Sequence, residues 1–228
     1  MAYNASIKSN GGKAEQAVRK VVGAWLAENP AATVEQTREF CIALLREVCG
    51  TYGNAAGDAA YALREAIAEA SGISTAAVTY TYAPDAAEVS KAVHYQARHL
   101  VDGDPDAFVD GVSDAARFFA ERGANETMFR LTETDARRLG HKVRFARVPM
   151  GPTTCEWCLM LASRGFVYHN AKTAGEANKF HRNCDCRIVP SYGKGAEVEG
   201  YDPDELYQQW QDVVAQKQAD NGTASEQS

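Results

Sequence analysis

The 228-residue chain contains no run of the roughly 20 apolar residues that a membrane-spanning helix requires, so no such helix is expected. Its start, Met1-Ala2-Tyr3-Asn4, lacks a basic stretch leading into an apolar one, and the expectation is a soluble chain not exported by its own signal. The short motifs of catalysis are missing as well. There is no phosphate-binding glycine loop, no nucleophile elbow and no pair of carboxylates that spacing alone would bring face to face. His94 and His99 are five residues apart, not the four that put two imidazoles on one side of a helix. The His-x-Glu that precedes Pro-Cys-x-x-Cys in zinc deaminases is absent, and Pro152 does not adjoin Cys155. These absences predict a protein that is not an enzyme.

What is present is an ordinary globular composition, 45% hydrophobic and 24% charged, in a length suited to one or two domains. The net charge of −6 is unevenly distributed. From His141 to Lys194, nine lysines and arginines face three acids, a local +6, whereas residues 1–140 carry −5 and residues 195–228 carry −7. A basic module is flanked by acidic segments. Four of the six cysteines, Cys155, Cys158, Cys184 and Cys186, fall inside that module.

Before the module the pattern is helical. Val18, Val21, Val22, Trp25 and Leu26 repeat at helical spacing until Asn29-Pro30. Thr33 and Gln36 form a capping box for a second helix lined by Cys41, Leu44, Leu45 and Val48, with Gly50 as its expected stop. Cys41 and Cys49, in or beside that stripe, read as buried structural thiols. A third helix over about 54–70 offers Ala59, Leu63, Ala66 and Ile67 as a narrow face for close helix approach. Alternation in Val78, Tyr80 and Tyr82 predicts an extended segment before Pro84. Asp85 with Glu88 caps a helix to about Leu100, and Asp104-Pro105 opens another that is expected to end at Gly123, with a weaker helical stretch over 126–139.

After Gly140 the period changes to two, and Val143 and Phe145 predict a strand closed by Pro149. It leads into Cys155-Glu156-Trp157-Cys158, where two intervening residues let a turn aim both sulfurs at one point about 2.3 Å away. About 25 residues on comes His181-Arg182-Asn183-Cys184-Asp185-Cys186. A tetrahedral site needs four ligands, and Cys155, Cys158 and His181 are the first three, with Cys184 or Cys186 as the fourth. His169 is a weaker alternative. Disulfides or inert thiols are the competing readings of the cluster, but paired spacing without an export signal favours metal. A shell rich in cysteine favours structural zinc over a catalytic ion, and a zinc with three thiolates and one imidazole is a −1 centre that Arg147, Arg182 and Arg187 would stabilise. A short helix after Cys158, strand-like Phe166-Val167-Tyr168 and a strand at Ile188-Val189 make this a small α+β module reinforced by metal.

The stretches Arg147-Val148-Pro149-Met150-Gly151, Thr154 to Cys158, Leu161-Ala162-Ser163-Arg164-Gly165, Tyr168 and Phe180 to Pro190 together resemble the cysteine-histidine core of MuF-like phage minor capsid proteins of actinobacterial phages and prophages. The layout of Cys49-Gly50-Thr51-Tyr52-Gly53-Asn54-Ala55-Ala56 before an alanine-rich helix is similar to the helical region preceding that core. Many such cores end in His-Pro-x-Cys-Arg-Cys, whereas here Arg182 follows His181 and Asp185 separates the last cysteines. The resemblance implies a low-copy structural component of the phage head, acting in head morphogenesis near the portal vertex. Its partners would be the portal protein or the major capsid protein, and its location the virion after assembly in the host cytoplasm.

The expected class is therefore α+β, mainly α: a helical region over 1–140, the Cys/His module over 141–192, a linker and amphipathic helix over 193–218, and a disordered tail over 219–228. In the last helix Leu206, Trp210, Val213 and Val214 form one apolar face for docking on a partner or on the protein itself. A competing function is a zinc-stabilised nucleic-acid-binding module, in which Arg144, Arg147, Arg164, Lys179, Arg182 and Arg187, interleaved with Trp157, Phe166, Tyr168 and Phe180, would contact packaged DNA or an acidic partner. A metal-dependent hydrolase using His169 and His181 is the third reading.

Overall fold

The computed structural model describes residues 2–151, 154–170, 172–174, 186–193 and 198–225. In chain order these form α1 (Ala2–Glu28), α2 (Val34–Ala70), α3 (Ala86–Gln96), α4 (Arg98–Val101), α5 (Pro105–Leu139), β1 (Arg144–Pro149), α6 (Glu156–Ala162), β2 (Cys186–Ser191) and α7 (Pro203–Ser225). The fold is mainly helical with a small two-stranded sheet, in keeping with the α+β class expected. No described helix is long and apolar enough to cross a membrane. The chain divides into two compact units, Met1–Glu65 with Ala77–Leu131, and Ala66–Ala76 with Thr132–Ser228. The second unit thus takes the end of α5 and the end of α2 with the segment after it, as well as the cysteine-bearing module.

In the first unit the apolar stripes converge on one core. Val18 and Val22 of α1, Cys41, Leu45 and Cys49 of α2, Val89 and Val93 of α3, and Phe108, Val112 and Phe119 of α5 are all buried in it. Both expected caps are present. Thr33 N–H donates to Gln36 Oε1 at 2.9 Å and Gln36 N–H to Thr33 Oγ1 at 3.2 Å, and Asp85 Oδ1 accepts from Glu88 N–H at 2.9 Å.

Two expected breaks are not breaks. Helix α2 runs through Gly50, and α5 runs through Gly123 to Leu139. Two glycines serve contact instead. A Cβ at Gly53 would stand 2.3 Å from a Tyr82 ring carbon, and one at Gly123 would stand 2.5 Å from the Gly53 carbonyl oxygen. Here α2 and α5 cross backbone to backbone, and that packing offsets the roughly 1 kcal/mol glycine costs in a helix. The face of α2 buried at the crossing is therefore Gly53, Ala56, Gly57 and Ala60, joined by Arg64, and not the expected Ala59 and Leu63.

The segment over 78–82 is extended but carries no described strand. Side chains take the place of a β-partner. Asn54 accepts from Tyr82 N–H at 2.7 Å and donates to Tyr82 O at 3.0 Å, while Tyr61 OH accepts from Tyr80 N–H. The Tyr82 hydroxyl in turn donates to Phe119 O at 2.9 Å, and burial pushes its phenol well above the ordinary value.

In the second unit β1 and β2 pair antiparallel, with Phe145 opposite Pro190, Arg147 opposite Ile188 and Pro149 opposite Cys186. Tyr168 bridges to Phe145, so strand-like backbone flanks β1 as the sequence suggested. Asp135, wholly buried, accepts from Ala76 N–H at 2.8 Å and from the Tyr192 hydroxyl, joining the end of α5 to the segment after α2 and to the chain after β2. Helix α7 and the turn before it pack on α6, where Tyr201 OH donates to Ala162 O at 2.6 Å and Lys217 pairs with Glu156. The amphipathic helix thus docks on its own unit. It continues to Ser225, into the stretch 219–228 that composition had assigned to a disordered tail. Helix-compatible side chains with an i, i+4 bond from Gln216 to Asp220 at 2.9 Å allow that extension.

Candidate metal centre

Antiparallel register decides which side chains share a face. Residues directly opposite one another project to the same side, and neighbours along a strand to opposite sides. Phe145, Arg147 and Pro149 of β1 therefore share a face with Cys186, Ile188 and Pro190 of β2. Arg144, Ala146 and Val148 share the other with Arg187, Val189 and Ser191. Every residue of β2 and the central four of β1 are buried, so this small sheet is covered on both sides.

Over the Arg147 face lies the cysteine knuckle. Cys155 is the N-cap of α6, with extended backbone, and its Sγ accepts from Cys158 N–H at 3.4 Å. A backbone N–H aimed at a cap sulfur is the arrangement that stabilises a ligating thiolate. Cys155 is exposed and Cys158 buried. The Cys158 Sγ lies 4.0 Å from Arg147 Nη2, while Arg147 Nη1 donates to Ala174 O at 3.3 Å. Cys186, also buried, shares that sheet face. Tyr168 completes the surroundings: its hydroxyl donates to Leu161 O at 2.7 Å, and its phenol is raised, first by burial, with Arg164 and Arg147 opposing the rise and Cys186 adding to it.

Of the five candidate ligands, Cys155, Cys158 and Cys186 are thus placed, and His181 and Cys184 lie outside the described residues. Among the described residues no group of three or more His, Cys, Asp or Glu is close enough to hold a metal. His169 is exposed in a turn closed by Thr173 and Asn170.

The six basic residues read as contacts are distributed unevenly. Arg164 is exposed and Arg144 half-buried, whereas Arg147 (0% exposed) and Arg187 (2%) lie inside the unit and present no surface to nucleic acid or a partner. Lys179 and Arg182 lie outside the described residues. Charge and spacing suggest a solvated patch only as long as the covering of both sheet faces is out of view. Asp135 and Tyr192 also escape notice in the sequence, because an aspartate in Thr134-Asp135-Ala136-Arg137-Arg138 reads as helix surface.

A model of the VG15 protein family matches residues 2–213. No curated protein and no solved structure matches the chain.

Proposed function

Because the chain belongs to the VG15 protein family, it is a phage protein, and we propose that it is a structural minor capsid protein acting in head morphogenesis at the portal vertex. The observation that carries the proposal is the family match across nearly the whole chain, joined to the MuF-like Cys/His core within it. Its partners are the portal or major capsid protein, and it carries no reaction of its own. Tandem mass spectrometry of purified phage particles tests this. The protein should be found in heads at low copy and should co-purify with the portal; particles that never contain it sink the reading.

The proposal includes one structural zinc, held by Cys155, Cys158 and His181 with Cys184 or Cys186 as the fourth ligand. Two features support it: the N–H to Sγ geometry of the knuckle, and a donor set of soft thiolates with one imidazole. The metal would supply a cross-link between the start of α6 and the chain entering β2. The nucleic-acid reading is weaker, since two of its six arginines and lysines are buried.

A further inference from the structure

The first unit carries an apolar groove with an acidic rim. About 460 Å³ in volume, it lies where the end of α1 and the start of α2 meet α4 and the first turns of α5, with Leu26, Val34, Leu100, Pro105 and Val109 in its walls. That volume is within the range of clefts that take up a large apolar group. Asp106 lines the groove, the exposed Glu28 sits between two lining residues, and the exposed Asp102 and Asp104 fill the turn from Leu100 to Pro105. No lysine or arginine is among the lining residues, and the C-terminal end of α1 adds its partial negative charge.

The last residue of α5 offers the complement. Leu139 is 42% exposed, Arg137, Arg138 and Lys142 around it are exposed as well, and residues 137–142 hold these three cations and no acid. The tip is held in place. Gly140, at φ +69°, ends the helix in the left-handed conformation, and the His141 ring stands edge-on to Tyr192 with centroids 6.1 Å apart. We infer that Leu139 of one copy seats in the groove of a second copy, with Arg137, Arg138 and Lys142 facing the acidic rim. The occupant comes from another chain because α5 is one helix of 35 residues, about 50 Å long at roughly 1.5 Å per residue, with the groove at its first turns and Leu139 at its end. Two different surfaces meet, so the contact is heterologous and each copy both gives a tip and receives one. A single leucine with a few rim charges makes a transient interface, dependent on concentration and weakened by salt.

Sedimentation velocity of the full chain across a concentration series, at low and at high salt, tests this. Three forms are compared: wild type, a groove form carrying Asp102→Lys and Asp106→Lys, and a tip form carrying Arg137→Ser and Leu139→Ser. All four positions are exposed, and circular dichroism with urea midpoints checks that each form folds. Wild type should associate as its concentration rises, and less so in high salt. Each double variant alone should associate about tenfold or more weakly. Mixing them is the sharper measurement. The groove form keeps its tip and the tip form keeps its groove, so an equimolar mixture should give a one-to-one dimer that grows no further. Wild type that stays monomeric throughout overturns the inference, as does association that either double variant leaves unchanged, or a mixture that remains monomeric. If the groove form does not fold, the tip form decides: association equal to wild type overturns the inference.

Discussion

At the scale of single residues, two buried thiols and two glycines carry the sharpest consequences. Burial pushes Cys41 and Cys49 up to about 12 from an ordinary 9.0. Between those values the folded chain keeps protons that the unfolded chain has released, so stability present below pH 9 is lost as pH rises toward 12. The melting temperature should fall more steeply from pH 9 to 11 in wild type than in a Cys41→Ala/Cys49→Ala double variant; equal slopes would dismiss the effect. The same burial makes both thiols slow to alkylate in the native state. Glycines differ by what surrounds them. A methyl group at Gly50 would meet nothing within 4 Å, so Gly50→Ala should stabilise α2 by about 0.5–1 kcal/mol. Gly123→Ala drives a methyl against the Gly53 backbone and should cost about 1–3 kcal/mol. Urea midpoints at constant m-value read both, and a destabilising Gly50→Ala would mean that α2 does break there.

At the scale of elements, caps and tethers decide where helices begin and what they hold. Thr33→Ala removes one half of a reciprocal cap and should cost about 1 kcal/mol of unfolding free energy. Tyr201→Phe strips the hydroxyl that meets Ala162 O at the end of α6; the loss should be about 0.5–1.5 kcal/mol by thermal or urea unfolding, and an unchanged midpoint would argue that α7 does not dock there. Helix α5 is more central than its periodicity suggests. Its middle is polar, with Glu121, Asn125 and Thr127 all buried alongside Phe119, Ala120 and Ala124, so no single stripe stands out. Arg122 meets this environment by pairing with Glu126 at 2.8 Å and with Glu88, while burial raises the Glu126 carboxyl above its ordinary range. A helix packed on several sides has no amphipathic signature to read.

At the scale of the whole molecule, chelation is the decisive perturbation. Removing zinc from protein purified under reducing conditions should lower the melting temperature of the unit that carries Cys155, Cys158 and Cys186; one zinc per chain is the expected stoichiometry, and intact stability without metal would return those cysteines to a plain core. The helical class, the caps at Thr33 and Asp85, the strand entering the cysteine knuckle and the identity of the candidate ligands are legible along the chain, because each depends on local spacing or on a side chain meeting its own backbone. The sequence also carried the phage affinity, through motifs that a family match over residues 2–213 bears out at the level of a phage protein. The tertiary packing settles that α2 runs through Gly50 and α5 through Gly123, that Gly53 and Gly123 are contact points, that the polar middle of α5 is interior, and that Arg147 and Arg187 lie inside the module on opposite faces of the sheet. Those outcomes depend on which element packs against which, and a strand covered on both faces buries every residue whatever its type, so hydropathy along the chain cannot distinguish a solvated arginine from one enclosed beside a sulfur.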